Sequence, residues 1–256
     1  MSSLNPKICD WRSRRVWIVG ASSGIGAALA RQLGEAGARL ALSARREDAL
    51  REVNGERDGL LLPFDVTDRE TLRAARDRLL DQWGGIDMLI YAAGLYTPMR
   101  TWEIDQEVVR QTLAVNLQGA YNLIEAVVPR LLEQGTGGLC LLASVVGYTG
   151  LPKALAYGPS KAALINLAQI LYTDLSPRGI GVYLVNPGFV DTRLTRQNDF
   201  QMPALITPEK AASEILAGIG KGRFEIHFPK RFTLWMRWLA RLPDPLRFYL
   251  LKRSVA

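Results

Sequence analysis

One rhythm constrains this chain more than any other feature. Short, nearly unbroken apolar runs alternate with stretches whose apolar residues recur every three or four positions. RVWIV (15–19) precedes a glycine-rich turn, GASSGIG, and the helical AALARQLGEAG. ARLALS (38–43) is followed by a short helical REDALREVN, and GLLLPFDV (59–66) by TDRETLRAARDRLLDQWG. IDMLIYAAG (86–94) leads into DQEVVRQTLAVNLQGAYNLIEAVVPRLLEQG, which reads as one long helix. GGLCLLAS (137–144), a helix from Tyr157 to Leu175 and IGVYLVNPG (180–188) complete six units. TPEKAASEILAGIGKG and RFEIHF then add a helix and a seventh strand. Strands joined by helices of this length pair in parallel, and strands apolar on both sides must be covered on both faces. The expected fold is α/β: a Rossmann-type, doubly wound, seven-stranded parallel sheet.

The chain has 256 residues, 48% of them hydrophobic, with no repeat, linker or low-complexity segment. One domain is expected, over 13–229, with an N-terminal extension at 1–12 and a basic, aromatic-rich helical tail at 230–256. No run approaches the ~18 apolar residues of a spanning helix. The first residues, MSSLNPKICDWRSRR, lack the apolar centre of a secretory signal. Cys9 and Cys140 form neither a disulfide framework nor a metal pattern, so a reducing, cytoplasmic setting is expected, with Cys140 buried as a free thiol.

A single histidine, His227 in FEIHFPK, limits the chemistry further. A hydrolase triad needs its histidine beside a nucleophile, and a zinc site wants several ligands. His227 is expected to be structural or on the surface. An enzyme built on this chain moves protons with another group.

Gly20, Gly24 and Gly26 stand where the first strand becomes a helix. Glycine there allows a tight turn and close approach of backbone to a pyrophosphate, which the helix N-terminus attracts. The end of the second strand reports on the adenosine ribose. A carboxylate there suits a 2′-hydroxyl, but this chain has Ala44 followed by Arg45 and Arg46. Two guanidinium groups attract a 2′-phosphate, so NADP(H) is expected in preference to NAD; the bland alternative is a solvated charge run opening a helix.

The motifs GASSGIG (20–26), YAAG (91–94), Asn116 in VNLQG, Ser144, YGPSK (157–161) and NPGFVDT (186–192) stand in one order and spacing. In these the chain resembles the short-chain dehydrogenase/reductase family, in its single-domain form of about 250 residues, over roughly residues 13–228. The resemblance implies an oxidoreductase that interconverts a ketone or aldehyde and its alcohol. It implies Tyr157 as general acid or base and Lys161, one helical turn away, as the cation that favours tyrosinate together with the oxidised nicotinamide. It also implies Ser144 as hydrogen-bond partner of the substrate oxygen, and Asn116 as holder of a relay water leading to Lys161. Cofactor contacts carry over to Gly20, Ser22, Ser23, Gly24, Ile25, Gly26, Asp65, Val66, Ala92, Gly94, Pro187, Gly188, Val190 and Thr192, with Tyr157 and Lys161. The chain departs from the family at Val19, where threonine is usual, and at Tyr91, where asparagine is usual. A homodimer or homotetramer is likewise implied by resemblance alone.

Substrate residues are harder to read. Val146, Tyr148, Leu151 and Phe189, beside Ser144, are expected to form the pocket wall with Leu95, Tyr96, Val145 and the loop 190–206 that carries Leu194 and Met202, an apolar set that favours an apolar carbonyl compound. Alternatives are an epimerase or dehydratase of the same superfamily, which wants a larger C-terminal domain, and a catalytically idle NADP-binding or membrane-interaction module.

Charge is unevenly spread. The chain carries 32 basic and 25 acidic residues, a net of +7. From Lys230 onward Lys230, Arg231, Arg237, Arg241, Arg247, Lys252 and Arg253 face only Asp244, so the body is nearly neutral and nucleic acid is not an expected partner. Within the tail, Phe232, Trp235, Trp238, Leu239 and Leu242 recur at helical spacing before Pro243. Two readings stay open: a helix pair that caps the active site or packs on another subunit, and a peripheral membrane anchor.

Overall fold

A computed structural model of the chain describes residues 3–253. Seven strands, β1 (Arg15–Val19), β2 (Arg39–Ser43), β3 (Leu60–Leu61), β4 (Met88–Tyr91), β5 (Gly137–Leu142), β6 (Ile180–Pro187) and β7 (Glu225–Phe228), form one sheet in the order β3-β2-β1-β4-β5-β6-β7. Every pairing is parallel. Successive side chains leave opposite faces, so each strand feeds two cores. Trp17, Leu89, Tyr91, Leu139, Leu141 and Val182 point into one; Val16, Ile18, Met88, Ile90, Cys140 and Tyr183 into the other. The first core lies under α3 (Arg69–Trp83), α5 (Gly119–Gln134) and α6 (Tyr157–Leu175), the second under α1 (Gly24–Glu35), α2 (Glu47–Asn54) and α7 (Pro208–Gly220).

The strand order reverses between β1 and β4, and the chain leaves these neighbours at the same sheet edge. That is where an open α/β sheet offers a crevice to a ligand. Gly20 follows β1 there and Ala92–Gly94 follow β4, tied by a hydrogen bond from Ala92 N to Val19 O of 2.7 Å.

Two expected elements are less regular than their sequence pattern. The third strand is regular only over two residues, at the sheet edge. Its bonds to β2 continue past Pro63, from Leu62 N to Leu42 O and from Phe64 N to Ala44 O, because the proline nitrogen faces the free edge and no ladder bond is lost. The long helix at 105–135 is α4 (Gln106–Leu113), then a wider π turn over Ala114–Gln118, then α5. Tyr91 accounts for part of that turn: its buried phenol donates to the Val115 carbonyl inside it.

The first residues do not extend away from the body. Asn5, Ile8 and Trp11 are buried, and the Asn5 carboxamide bonds both Val182 O (2.7 Å) and Val182 N (2.9 Å). At the other end, α8 (Lys230–Leu239) and α9 (Asp244–Arg253) bury Met236, Leu239 and Leu251 against Val145.

Candidate active site

Helix α6 begins at Tyr157, so Tyr157 and Lys161 share its first turns; Pro159 falls where a helix has no N–H partner to lose. Lys161 is 4% exposed, and its Nζ donates to Leu142 O at the end of β5, 2.9 Å away. The same Nζ lies 5.5 Å from the centre of the Tyr157 ring. Ser144, two residues beyond Leu142, stands close enough to the Tyr157 hydroxyl to lower its proton affinity and lies 3.5 Å from Pro187 O. Two adjacent strand ends and one helix start therefore bring Ser144, Tyr157 and Lys161 together.

Asn116 sits in the π turn and is fully buried. Its Oδ1 accepts from Leu95 N (2.7 Å), and its Nδ2 donates to Leu95 O and to Ser160 Oγ, both at 2.9 Å. Ser160 in turn donates to Tyr157 O at 2.7 Å. Asn116 thus ties the chain leaving β4 to the helix turn that carries Tyr157. Ser160 is a member of this site that sequence reasoning missed; a serine inside a helix carries no signal of its own.

Burial dominates the proton affinities. The Tyr157 phenol is pushed up to about 12 by desolvation, only partly opposed by Ser144. Lys161 is pulled down to about 8, again by desolvation. Burial by itself favours the protonated phenol; the tyrosinate implied by the resemblance calls on the oxidised nicotinamide's charge as well as that of Lys161.

The glycine turn has the form a pyrophosphate needs. Gly20 has φ +93°, and a Cβ on it would meet Ala93 N at 2.4 Å; one on Gly26 would meet Gly20 O at 2.2 Å. Strand end and helix start can approach so closely only without side chains there. The first turn of α1 has no side-chain cap on Ser23 and no acidic residue, whereas α3, α4 and α7 are capped by Asp68, Asp105 and Thr207. Free N–H groups and the positive helix end face the crevice, which fits a phosphate-bearing group. Thr192 packs on this turn: a Cβ on Gly24 would lie 3.0 Å from its Cγ2. A Cβ on Gly94 would stand 3.5 Å from Asn116 Oδ1 and 3.6 Å from Lys161 Nζ, so the exit of β4 adjoins both.

Arg45 and Arg46 are exposed just past β2, with Arg46 only loosely opposite Asp48 at 4.0 Å. Asp65 Oδ1 accepts from Thr67 N and Thr67 Oγ1, and Val66 is buried with its carbonyl on Asn122 Nδ2. Ala92, Pro187, Gly188 and Val190 line the same edge of the sheet, at the ends of β4 and β6.

The substrate set divides. Val146 faces the Tyr157 turn, and Phe189 packs edge-on to Phe200 at 5.7 Å and tilted over Phe232 of α8 at 5.3 Å. Tyr148 and Leu151 are placed differently from the sequence expectation. The Tyr148 hydroxyl bonds Glu225, and both side chains pack on the tail cluster of Met236 and Leu239, because the tail offers them apolar cover. Tyr96 takes the nearer position, edge-on to the Tyr157 ring at 5.0 Å. It is latched to the segment after β6 by its hydroxyl on Asn198 Oδ1 (2.9 Å) and by Gln197 Nε2 on its carbonyl (2.9 Å).

His227 is buried among structural partners, with Nδ1 2.6 Å from Thr233 Oγ1 and Nε2 3.2 Å from Arg237. No group of three or more metal-ligating side chains exists among the described residues.

Comparison with known proteins supplies the context for this arrangement. A family model for short chain dehydrogenases matches residues 14–202. An uncharacterised oxidoreductase of Myxococcus xanthus is 32% identical over 238 residues, 91% of this chain and 94% of that one. The 3-oxoacyl-acyl-carrier-protein reductase FabG of Thermotoga maritima is 31% identical over 81% of this chain and 82% of its own. The crystal structure of a short chain dehydrogenase from Burkholderia cenocepacia, in complex with NADP, has TM-score 0.84 at 27% identity, covering 94% of this chain and 99% of that one.

Proposed function

The chain belongs to the short-chain dehydrogenase/reductase family and is an NAD(P)-dependent oxidoreductase; from that premise we propose that it prefers NADP(H) and interconverts an apolar ketone or aldehyde and its alcohol, with Tyr157 as the proton donor or acceptor. The observation that carries the reading is the meeting of Ser144, Tyr157 and Lys161 beside the uncapped start of α1. Catalysis of this kind needs a proton on an oxygen-facing group and a cation behind it. A protonated phenol beside a serine hydroxyl meets that need for reduction.

The turn over Gly20, Ser22, Ser23, Gly24, Ile25 and Gly26 would hold the cofactor's pyrophosphate, and Arg45 with Arg46 its 2′-phosphate. Asp65 and Val66 would border the adenine, Ala92 and Gly94 the adenosine ribose, Lys161 the nicotinamide ribose, and Pro187, Gly188, Val190 and Thr192 the nicotinamide. A nicotinamide cofactor held there would supply the hydride for reduction of the carbonyl carbon, or accept one from the alcohol carbon in the reverse direction. Ser144 donates a hydrogen bond to the substrate oxygen and fixes its position. Tyr157 passes its proton to that oxygen as the carbon–oxygen double bond opens, and recovers it in the reverse direction. Lys161 stabilises the negative phenolate oxygen left behind, and Asn116 keeps the Tyr157 turn in place and borders the path by which the proton is replaced. Val146, Phe189 and Tyr96 give the cleft its apolar wall. Assembly into a homo-oligomer is part of the reading.

Replacing Tyr157 with Phe tests it. Turnover of apolar ketones should fall by about 10²–10⁴-fold, the usual worth of a positioned acid or base, while NADPH quenches protein fluorescence as before. Retained turnover would refute the role of Tyr157, and turnover absent from the unaltered protein over a broad carbonyl panel would favour an idle NADP-binding module. Arg45→Ala should raise KM for NADPH by roughly 10–100-fold, as expected for losing a charge-assisted bond, and leave KM for NADH unchanged. Equal changes for both cofactors would remove the NADP preference.

A further inference from the structure

The fold uses only the inner faces of α8 and α9. Met236, Leu239 and Leu251 turn inward, while Arg231, Leu234, Trp235 and Trp238 share the opposite side of α8 at helical spacing. Trp235 is 44% and Trp238 51% exposed, and Leu246, Phe248 and Tyr249 of α9 are about half exposed. The apolar surface continues beyond the tail. Arg100, Leu151, Phe248, Leu251 and Lys252 line one cleft, and the Arg100 guanidinium stands 5.6 Å over the ring of Trp102, itself 78% exposed.

The charge on this surface selects its partner. Arg237 pairs with Glu225 and Arg247 with Asp244. Lys230, Arg231, Arg241, Lys252 and Arg253 have no carboxylate at ion-pair distance among the described residues. Cations left without acids among exposed tryptophan, tyrosine and leucine match a surface that is apolar just beneath a sheet of negative charge. A second copy of the chain would bring the same five cations to a self-complementary contact and be repelled.

We infer that the outer face of α8 and α9, extended by Trp102, docks on an anionic lipid bilayer. No described helix is long and apolar enough to cross a membrane, so the contact lies in the headgroup region. The inference goes beyond the oxidoreductase reading and does not depend on it. Its test therefore reads binding rather than turnover.

The full-length protein is sedimented with vesicles of phosphatidylcholine containing phosphatidylserine, and with vesicles of phosphatidylcholine alone. Binding to the mixed vesicles should be at least about tenfold tighter, because each basic residue near an anionic leaflet contributes on its own. It should weaken steeply toward about 1 M salt, where charges are screened within ~3 Å. Trp235→Ser with Trp238→Ser, and separately Arg231→Glu with Arg241→Glu, should each abolish binding and leave the melting temperature unchanged, since all four side chains are exposed. The inference fails if the unaltered protein stays in the supernatant, or if both double variants bind as it does. It fails equally if the tryptophan variant changes the oligomeric mass in light scattering, which would make this face a subunit contact.

Discussion

At the scale of single residues, the informative quantity is the opposed displacement of two neighbours. Burial raises the affinity of Tyr157 for its proton and lowers that of Lys161. The two shifts have consequences of opposite sign for activity and stability. Lys161 loses its charge near pH 8, so the rate of carbonyl reduction should be level below that and decline above it. Stability responds the other way. Between about 8 and the ordinary lysine value of ~10.4 the unfolded chain holds the proton that the folded chain has shed, and the charged form penalised by burial disappears. Over that window Lys161 should make the fold more stable as pH rises. The difference in unfolding free energy between the unaltered protein and Lys161→Met isolates this contribution from the buried tyrosines and Cys140. A difference that does not change from pH 8 to pH 10 would mean that Lys161 is less desolvated than its surroundings imply.

At the scale of elements, α8 is held by a buried polar chain running from Thr233 through His227 to Arg237 and Glu225. Thr233 Oγ1 donates to Pro229 O, so His227 Nδ1 carries the hydrogen toward Thr233 and Nε2 accepts from Arg237. The ring must be neutral to do both. Its affinity is lowered to about 4, first by burial and then by Lys230, with Arg237 and Arg223 adding to the effect and Glu225 opposing it. The unfolded chain therefore binds more protons than the folded chain between about pH 4 and ~6.5, and stability should fall through that window on acidification. His227→Gln should lose most of that slope in urea titrations; an unchanged slope would place the acid sensitivity elsewhere. These elements also show what the sequence could disclose. Helix α6 was legible to its last residue because its pattern is continuous and a glycine follows soon after. The break at Ala114–Gln118 was not, because it depends on the Tyr91 phenol reaching Val115 from a strand far away in sequence. Pro63 stood in the third strand's pattern, but that the strand lies at the sheet edge, where a proline costs no ladder bond, was not legible. At the site, Gly20, Ser144, Tyr157 and Lys161 stood out by motif. The direction of the Tyr157 shift did not, since it depends on how much protein surrounds the ring.

At the scale of the whole molecule, the question is whether the last two helices are an appendage or a wall of the domain. Sequence suggested a boundary near residue 230, where the charge changes. Packing places Met236, Leu239 and Leu251 over Val145, the residue that follows Ser144, and sets Phe232 against Phe189 after β6. The tail thus covers the backs of two segments whose fronts form the candidate site. Truncation after Pro229 would uncover these apolar side chains and leave Tyr148 and Glu225 without Arg237 nearby. Three buried aliphatic side chains at about 1.5–3 kcal/mol each, reduced by the entropy of ordering two short helices, leave a net loss of a few kcal/mol. In a domain of this size that lowers Tm by roughly 10 °C. Because Val145 is covalently next to Ser144, turnover should fall as well, and more in kcat than in the KM for NADPH, whose glycine turn follows β1, with three strands between it and the β7 edge on which the tail packs. The double substitution Trp235→Ser with Trp238→Ser supplies the contrast, since it alters the outer face and leaves the inner one intact. If truncation and surface substitution gave the same Tm and the same kcat, the helices would be a detachable arm, and the inner packing would carry no weight in holding Ser144.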